Sequence, residues 1–357
     1  MYQKPNNCYN TKNMPNLNKH DLVLFKSSEF LGFEKFLEKN YQFRIISTEY
    51  PPYVSFTSRK AIIHTDKGTF FLKEKPEYSS DKLSLNKSGR FQRYASFKLD
   101  VVPKIRLTKK DECFVMWKSR FYFLTEYKKG RVFNGSDQDV NSMLKALNKL
   151  QKIGKEFTSK KDVPPDVLKR IESYEVAKLT PLIKKYARSK KESSIYGKII
   201  KCLEMLKKEY ISLPKKEYLM SHGDFIIFNI IFRNNEVVAI NDFDNAKKLP
   251  KLHDLAEFLV SSTMFNYIGS LTNMKLPVVL EPQKSKFKLI MKSYVRDFSL
   301  SKKDVVLLST IAEIIWLWTL CLSVLKGDYR ISDLAKVVRR VEKRSLSNLI
   351  KNTAAYF

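Results

Sequence analysis

Three residues have the types and spacing to do chemistry together: Asp224, Asn229 and Asp242. They lie in Ser221-His222-Gly223-Asp224-Phe225-Ile226-Ile227-Phe228-Asn229 and Ile240-Asn241-Asp242-Phe243-Asp244. A carboxylate such as Asp224 can orient a hydroxyl and take its proton. An amide oxygen (Asn229) and a second carboxylate (Asp242) are oxygen donors that suit Mg2+, a hard cation. Between them, residues 226–232 and 237–241 read as short strands joined by the polar turn Arg233-Asn234-Asn235-Glu236. Such a hairpin aims both ligands at one point. A positioned hydroxyl, a base and a metal are the needs of phosphoryl transfer, which asks little covalent help of the protein.

Taken singly these motifs say little, because a lone Asp in a loop is more often a turn or cap residue. Their joint spacing carries the reading. The pattern H-G-D-x-x-x-x-N followed by I-x-D-F-D resembles the aminoglycoside phosphotransferase and choline kinase-like group. His253-Asp254-Leu255-Ala256 is similar to that group's D-L-A segment. The resemblance implies an α+β, two-lobed protein-kinase-like fold. Its N-terminal lobe would be an antiparallel β-sheet, and its larger C-terminal lobe mostly helical. It implies ATP and Mg2+ as cofactors, Asp224 as catalytic base, and Asn229 and Asp242 as metal ligands. His222 and Asp254 would support the catalytic loop. The group also includes spore-coat-associated kinase-like proteins, so a non-catalytic structural or binding protein on the same fold is the alternative function.

The elements that must position these residues follow from periodicity. Residues 1–40 read as an arm and a short helix, with apolar spacing over 21–39. Residues 41–128 read as a β-rich nucleotide-binding lobe, with strands over 43–50, 60–65, 69–73, 101–107, 114–117 and 121–127. Asp66-Lys67-Gly68 signals a hairpin, and a weakly helical segment covers 90–99. Residues 129–357 read as a helical catalytic and acceptor-binding lobe. Helices are expected over 137–157, capped by Ser136, over 166–187 and 194–210, and again from His253 onward.

In the first lobe, Lys73 on the strand after the turn resembles the lysine that holds the α- and β-phosphates. Glu126 and Tyr127 resemble the hinge whose backbone groups hydrogen-bond adenine. No G-x-G-x-x-G precedes Lys73, and residues 51–58 contain no glycine, so close approach of backbone amides to phosphate is harder. The acidic residues between Lys73 and Pro103 are Glu74, Glu77, Asp81 and Asp100, none in a clear helix, so no partner for Lys73 stands out.

Only about a dozen residues separate Asp242 from Asp254, and no A-P-E follows. That leaves no room for a peptide-docking segment. The expected acceptor is a small hydroxylated molecule: a sugar, amino sugar or amino alcohol. The chain carries 66 Lys and Arg against 37 Asp and Glu, a net charge of +29. Such a charge attracts anions and tilts the acceptor away from polycationic antibiotics, towards an anionic molecule or an envelope glycan. It also suits peripheral contact with an anionic surface. No sequence-specific nucleic acid reader motif is present. Four scattered cysteines and no secretory-type N-terminus point to a reducing cytoplasm. Residues 305–325 are the most apolar stretch, but Glu313 at its centre marks a buried core helix rather than a span. Core packing is also the expected role of Trp316 and Trp318.

Overall fold

Alternation of apolar and polar residues builds a five-stranded sheet in the computed structural model. The model describes residues 27–49, 60–75, 82–160, 189–212, 217–263, 283–297, 300–325 and 331–354. The strands are β1 (Ile45–Glu49), β2 (Lys60–Thr65), β3 (Gly68–Lys75), β4 (Phe114–Trp117) and β5 (Arg120–Glu126), in the order β1-β2-β3-β5-β4. Every neighbouring pair is antiparallel. The Asp66-Lys67 turn closes with Thr65 opposite Gly68, whose φ of 121° a side chain would strain.

One face of the sheet, with Ala61, Ile63, Leu72, Val115, Tyr122 and Leu124, packs on Phe33, Leu37 and Tyr41 of helix α1 (Ser27–Tyr41). Cross-strand register places Lys60, Lys73 and Phe123 together on the other face. The strand expected over 101–107 is corrected: it reduces to one bridge, Ile105 with Thr125. Pro103 has no N–H to give a ladder, which stops pairing from extending backward.

The sheet, α1 and residues 105–127 form one unit; Lys82–Lys104 and the described residues from Lys128 onward form the other. Residues 82–104, read from sequence as part of the β-rich stretch, therefore group with the helical part of the chain. They begin with helix α2 (Lys82–Ser96), a full turn and more longer than the segment expected from Arg90. Its buried face runs through Leu85, Ser88, Phe91, Gln92, Ala95 and Ser96. Half of that face is polar, so counting apolar residues hides its period. The polar members are satisfied locally: Ser88 and Ser96 hydroxyls donate to Leu85 and Arg93 carbonyls, and Gln92 Nε2 to Pro103 O.

The same unit continues with α3 (Asp137–Lys160), α4 (Lys190–Ser212), β6 (Tyr218–Ser221), β7 (Ile230–Arg233), β8 (Glu236–Ile240) and β9 (Lys247–Pro250). Helices α5 (His253–Thr263), α6 (Lys284–Asp297), α7 (Lys302–Leu325), α8 (Ile331–Glu342) and α9 (Ser345–Ala354) follow. The Ser136 cap is present, its Oγ accepting from Asp139 N at 3.2 Å. α7 is a buried core helix, with Leu308, Ile311, Ala312, Ile315, Trp316 and Leu317 inside. Among the described residues no helix is long and apolar enough to cross a membrane. The expected N-terminal arm, the helix over 166–187, the loop over 51–58, Glu77 and Asp81 lie outside the described residues.

Candidate active site

Strand β6 delivers the chain into the loop that carries Asp224. Ser221 and His222 are buried, and Gly223 takes φ 76°, a left-handed conformation natural to glycine. That turn aims two consecutive N–H groups one way. His222 N donates to Asp254 Oδ2 and Gly223 N to Asp254 Oδ1, both at 2.8 Å. Asp254 stands in the first turn of α5, where a carboxylate also suits the helix dipole. Burial pushes its carboxyl above the usual range, while the charge of His253 and the two N–H donors pull it back.

His222 ties the loop a second time. Its Nδ1 accepts from Asp224 N at 3.3 Å, which leaves Nε2 to donate to Asn241 O at 2.9 Å. That pattern assigns the neutral tautomer. The ring also stacks edge-on to Phe243, centroids 4.5 Å apart. A single buried imidazole thus links the backbone of Asp224 to the residue just before Asp242.

After Asp224 the chain makes a tight turn, with Ile226 N donating to Asp224 O, and then a short 3-10 turn over Ile227–Asn229. Residues 226–229 were expected to be strand, but β7 begins only at Ile230. The turn brings Asn229 back onto Asp224. Asn229 Nδ2 donates to Asp224 O at 2.9 Å and to Asp224 Oδ2 at 3.0 Å. The amide nitrogen is thereby committed to Asp224, and Oδ1 is the side chain's atom for a cation.

β7 and β8 form the hairpin, turning through Asn234 and Asn235 at φ 50° and 61°. It returns Asn241 beside Asn229: Asn241 N donates to Asn229 O at 2.7 Å. Asp242 follows in the left-handed region (φ 71°, ψ 55°), a conformation that a non-glycine residue keeps only where its surroundings hold it. Here the holders are Asn241 on one side and buried Phe243 on the other, packed on Phe91 of α2 and on His222. The third residue of D-F-D lies in a 3-10 turn over Phe243–Asn245 without positive φ. Glycine is not needed there, so Asp244 fits.

His222, Asp224, Asn229, Asp254 and the backbone entering Asp242 thus form one hydrogen-bonded assembly. Its candidate cation donors are all oxygens, the set a hard divalent ion takes. Among the described residues no three His, Cys, Asp or Glu side chains cluster as a complete metal cage. A site with few protein donors fits Mg2+, which keeps waters and phosphate oxygens in its shell.

The other expected residues lie on the sheet unit. Lys73 is half-buried in the middle of β3, opposite Lys60 on β2 and Phe123 on β5. Glu126 ends β5 opposite Phe70, and Tyr127 N donates to Thr69 O at 3.1 Å. Helix α2 contains no Asp or Glu.

Sequence reasoning missed two positions. Asn241 bridges loop and hairpin by its backbone alone, which no residue type announces. Arg131 makes a bidentate pair with buried Asp139 at 2.6 and 2.7 Å and reaches Asn235 Oδ1, tying the start of α3 to the hairpin turn. Its signal was available, an arginine just before a helix whose first turn is acidic.

Comparison with known proteins follows the same lines. The sequence profile of the phosphotransferase enzyme family (APH) matches residues 54–270. A comparison with curated proteins finds no match. Among solved structures, amicoumacin kinase hAmiN in complex with AMP-PNP, Ca2+ and Ami is similar with a TM-score of 0.67 at 13% identity, covering 92% of this chain and 97% of that one. Choline kinase from Cryptosporidium parvum gives 0.61 at 12% identity, covering 91% and 97%. An aminoglycoside phosphotransferase from Alicyclobacillus acidocaldarius gives 0.58 at 14%, covering 88% and 93%. These likenesses establish the protein-kinase-like fold, and with the profile spanning more than half of its length, the chain belongs to the phosphotransferase enzyme family.

Proposed function

We propose that the protein is an ATP- and Mg2+-dependent kinase that moves the γ-phosphate to a hydroxyl of a small molecule. The observation that carries this reading is the fixed carboxylate of Asp224, held by Asn229 on one oxygen and by the His222 ring at its backbone N–H. A carboxylate restrained in this way meets an incoming hydroxyl in one orientation. It orients the hydroxyl and accepts its proton as the new O–P bond forms and the bond from the γ-phosphorus to the β–γ bridging oxygen breaks, with ADP as the leaving group. Asn229 Oδ1 and the Asp242 carboxylate would hold Mg2+, which when bound neutralises charge on the phosphate oxygens. Lys73 would meet the α- and β-phosphates, and the backbone at Glu126 and Tyr127 the adenine.

A small acceptor is supported by the short path from Asp242 to Asp254, filled by the 3-10 turn, β9 and the start of α5. No segment there can dock a peptide. The structures named above as amicoumacin kinase and choline kinase point the same way, and AMP-PNP in the former supports a nucleotide donor. The net charge supports an anionic acceptor or one carried on an envelope glycan, and a cytoplasmic setting supplies the ATP.

The test is an ATP-consumption screen over amino sugars, amino alcohols and envelope sugars in Mg2+. Asp224→Ala should lower kcat by about 10²–10⁴-fold with the cognate acceptor, the scale of general base catalysis. Unchanged turnover in that variant would remove Asp224 from its role. The second reading is a non-catalytic binding protein on the same fold. Mg-ATP binding without turnover across the whole screen would select it.

A further inference from the structure

The nucleotide site uses few cations, so most of the +29 charge lies elsewhere. Part of it lies on two neighbouring helices. α4 and α8 pack on each other and both lie on α7. Their faces turned away from α7 therefore point to the same side.

On α4, exposed Lys190, Lys198, Lys201 and Lys208 recur at helical spacing along one stripe, opposite buried Ile199, Leu203, Leu206 and Tyr210. On α8 and the turn after it, Lys336, Arg339 and Lys343 are exposed opposite buried Val337, Val338 and Val341. Among the described residues of these segments, the exposed charges are those seven cations and two carboxylates, Glu204 and Glu342. Seven cations against two carboxylates leave this face strongly positive.

Two apolar residues stand among the lysines. Met205 is 43% exposed, one turn from both Lys201 and Lys208, and Ile211 is 58% exposed, one turn beyond Lys208. Aliphatic groups within a cationic stripe offer no ring for bases to stack on, the usual device of single-strand binding. They suit a surface that is anionic outside and apolar beneath, into which Met205 and Ile211 can sink while the lysines meet headgroups.

We propose that the α4–α8 face docks the protein on an anionic phospholipid surface. The attachment is reversible and electrostatic, with the two apolar residues adding an anchor that salt does not screen. This inference is independent of the phosphotransfer chemistry.

The experiment is co-sedimentation of the full chain with vesicles of phosphatidylcholine, alone or mixed with phosphatidylglycerol, at low and moderate salt. Binding is expected only to the mixed vesicles. Lys198→Gln/Lys201→Gln/Lys208→Gln should weaken it at least tenfold, and Met205→Ser/Ile211→Ser should remove the part that survives moderate salt. A control, Lys35→Gln/Lys39→Gln/Lys109→Gln, removes the same charge from exposed positions of the sheet unit and should bind as the parent does. Circular dichroism and thermal melting verify that each variant is folded. Equal losses in the control and the face variant would overturn the proposal, since net charge alone would then explain binding. So would no binding to mixed vesicles, or tighter binding to a DNA duplex with no effect of Met205→Ser/Ile211→Ser.

Discussion

Both ring nitrogens of His222 are engaged by backbone, one as acceptor from Asp224 N–H and one as donor to Asn241 O. A ring so occupied orients and does not shuttle protons. His222→Ala should therefore lower kcat about 10–100-fold, because it loosens the carboxylate and the approach to Asp242 together, while KM for ATP changes little. A kcat left unchanged in His222→Ala would mean that the ring does not hold the loop. At this scale the sequence was most readable. Asp224, Asn229 and Asp254 could be found because their residue types and short spacings are themselves the chemistry. Asn241 could not, since its contribution is a backbone carbonyl and N–H. Nor could the left-handed backbone of Asp242, which is imposed by the packing of Phe243 on His222 and Phe91.

Among the elements, strands announced themselves by alternation, and the hairpin turns at Gly68 and at Asn234-Asn235 by residues tolerant of positive φ. Helix α2 was half hidden because Ser88, Gln92 and Ser96 occupy its buried face. Helix α3 shows a further dependence invisible in periodicity. A Cβ on Gly154 would collide with the Met220 carbonyl and crowd Leu219. This glycine lets α3 approach β6, the strand that feeds the Asp224 loop. Thr158 Oγ1, one turn on, accepts from Met220 N at 2.8 Å. Gly154→Ala gains about 1 kcal/mol of helix propensity, but the obstacle is backbone and cannot rotate away. The clash should win, with a net loss of about 1–2 kcal/mol in denaturant unfolding.

Helices α7 and α9 carry a different strain. Glu313 is fully buried in α7, and burial raises its carboxyl to about 7 despite Arg344, whose Nη1 lies 2.9 Å away without an aligned hydrogen bond. Ser347 N donates to it at 3.0 Å. The native state holds this proton more tightly than the unfolded chain, whose value is near 4.5. Its stabilising contribution is therefore complete below about pH 4.5 and is lost as pH rises through about 7. The unfolding free energy of the parent minus that of Glu313→Gln should fall across this window by up to about 3 kcal/mol and be flat outside it. A difference independent of pH would show that Glu313 is ionised throughout.

For the molecule as a whole, fold class and family were legible because motif order and element order agree, while the use of the charge was not. A net +29 says only that anions are attracted; where they are met depends on which helix faces expose the cations, which composition does not carry. The same charge acts on the protein itself. Folding draws 66 cationic side chains together with only 37 anionic ones, and their mutual repulsion weakens the compact state more than the expanded one. Salt shortens the reach of that repulsion from about 30 Å at 0.01 M to about 8 Å at 0.15 M. Raising NaCl over that range should therefore raise Tm by several degrees, and Lys→Gln changes on the α4 stripe should raise Tm at low salt and leave it unchanged at high salt. Vesicle binding through the same lysines must respond to salt with the opposite sign. A Tm that falls with salt would mean that attractive surface pairs, such as Lys155 with Glu217 at 3.1 Å, outweigh the like-charge repulsion.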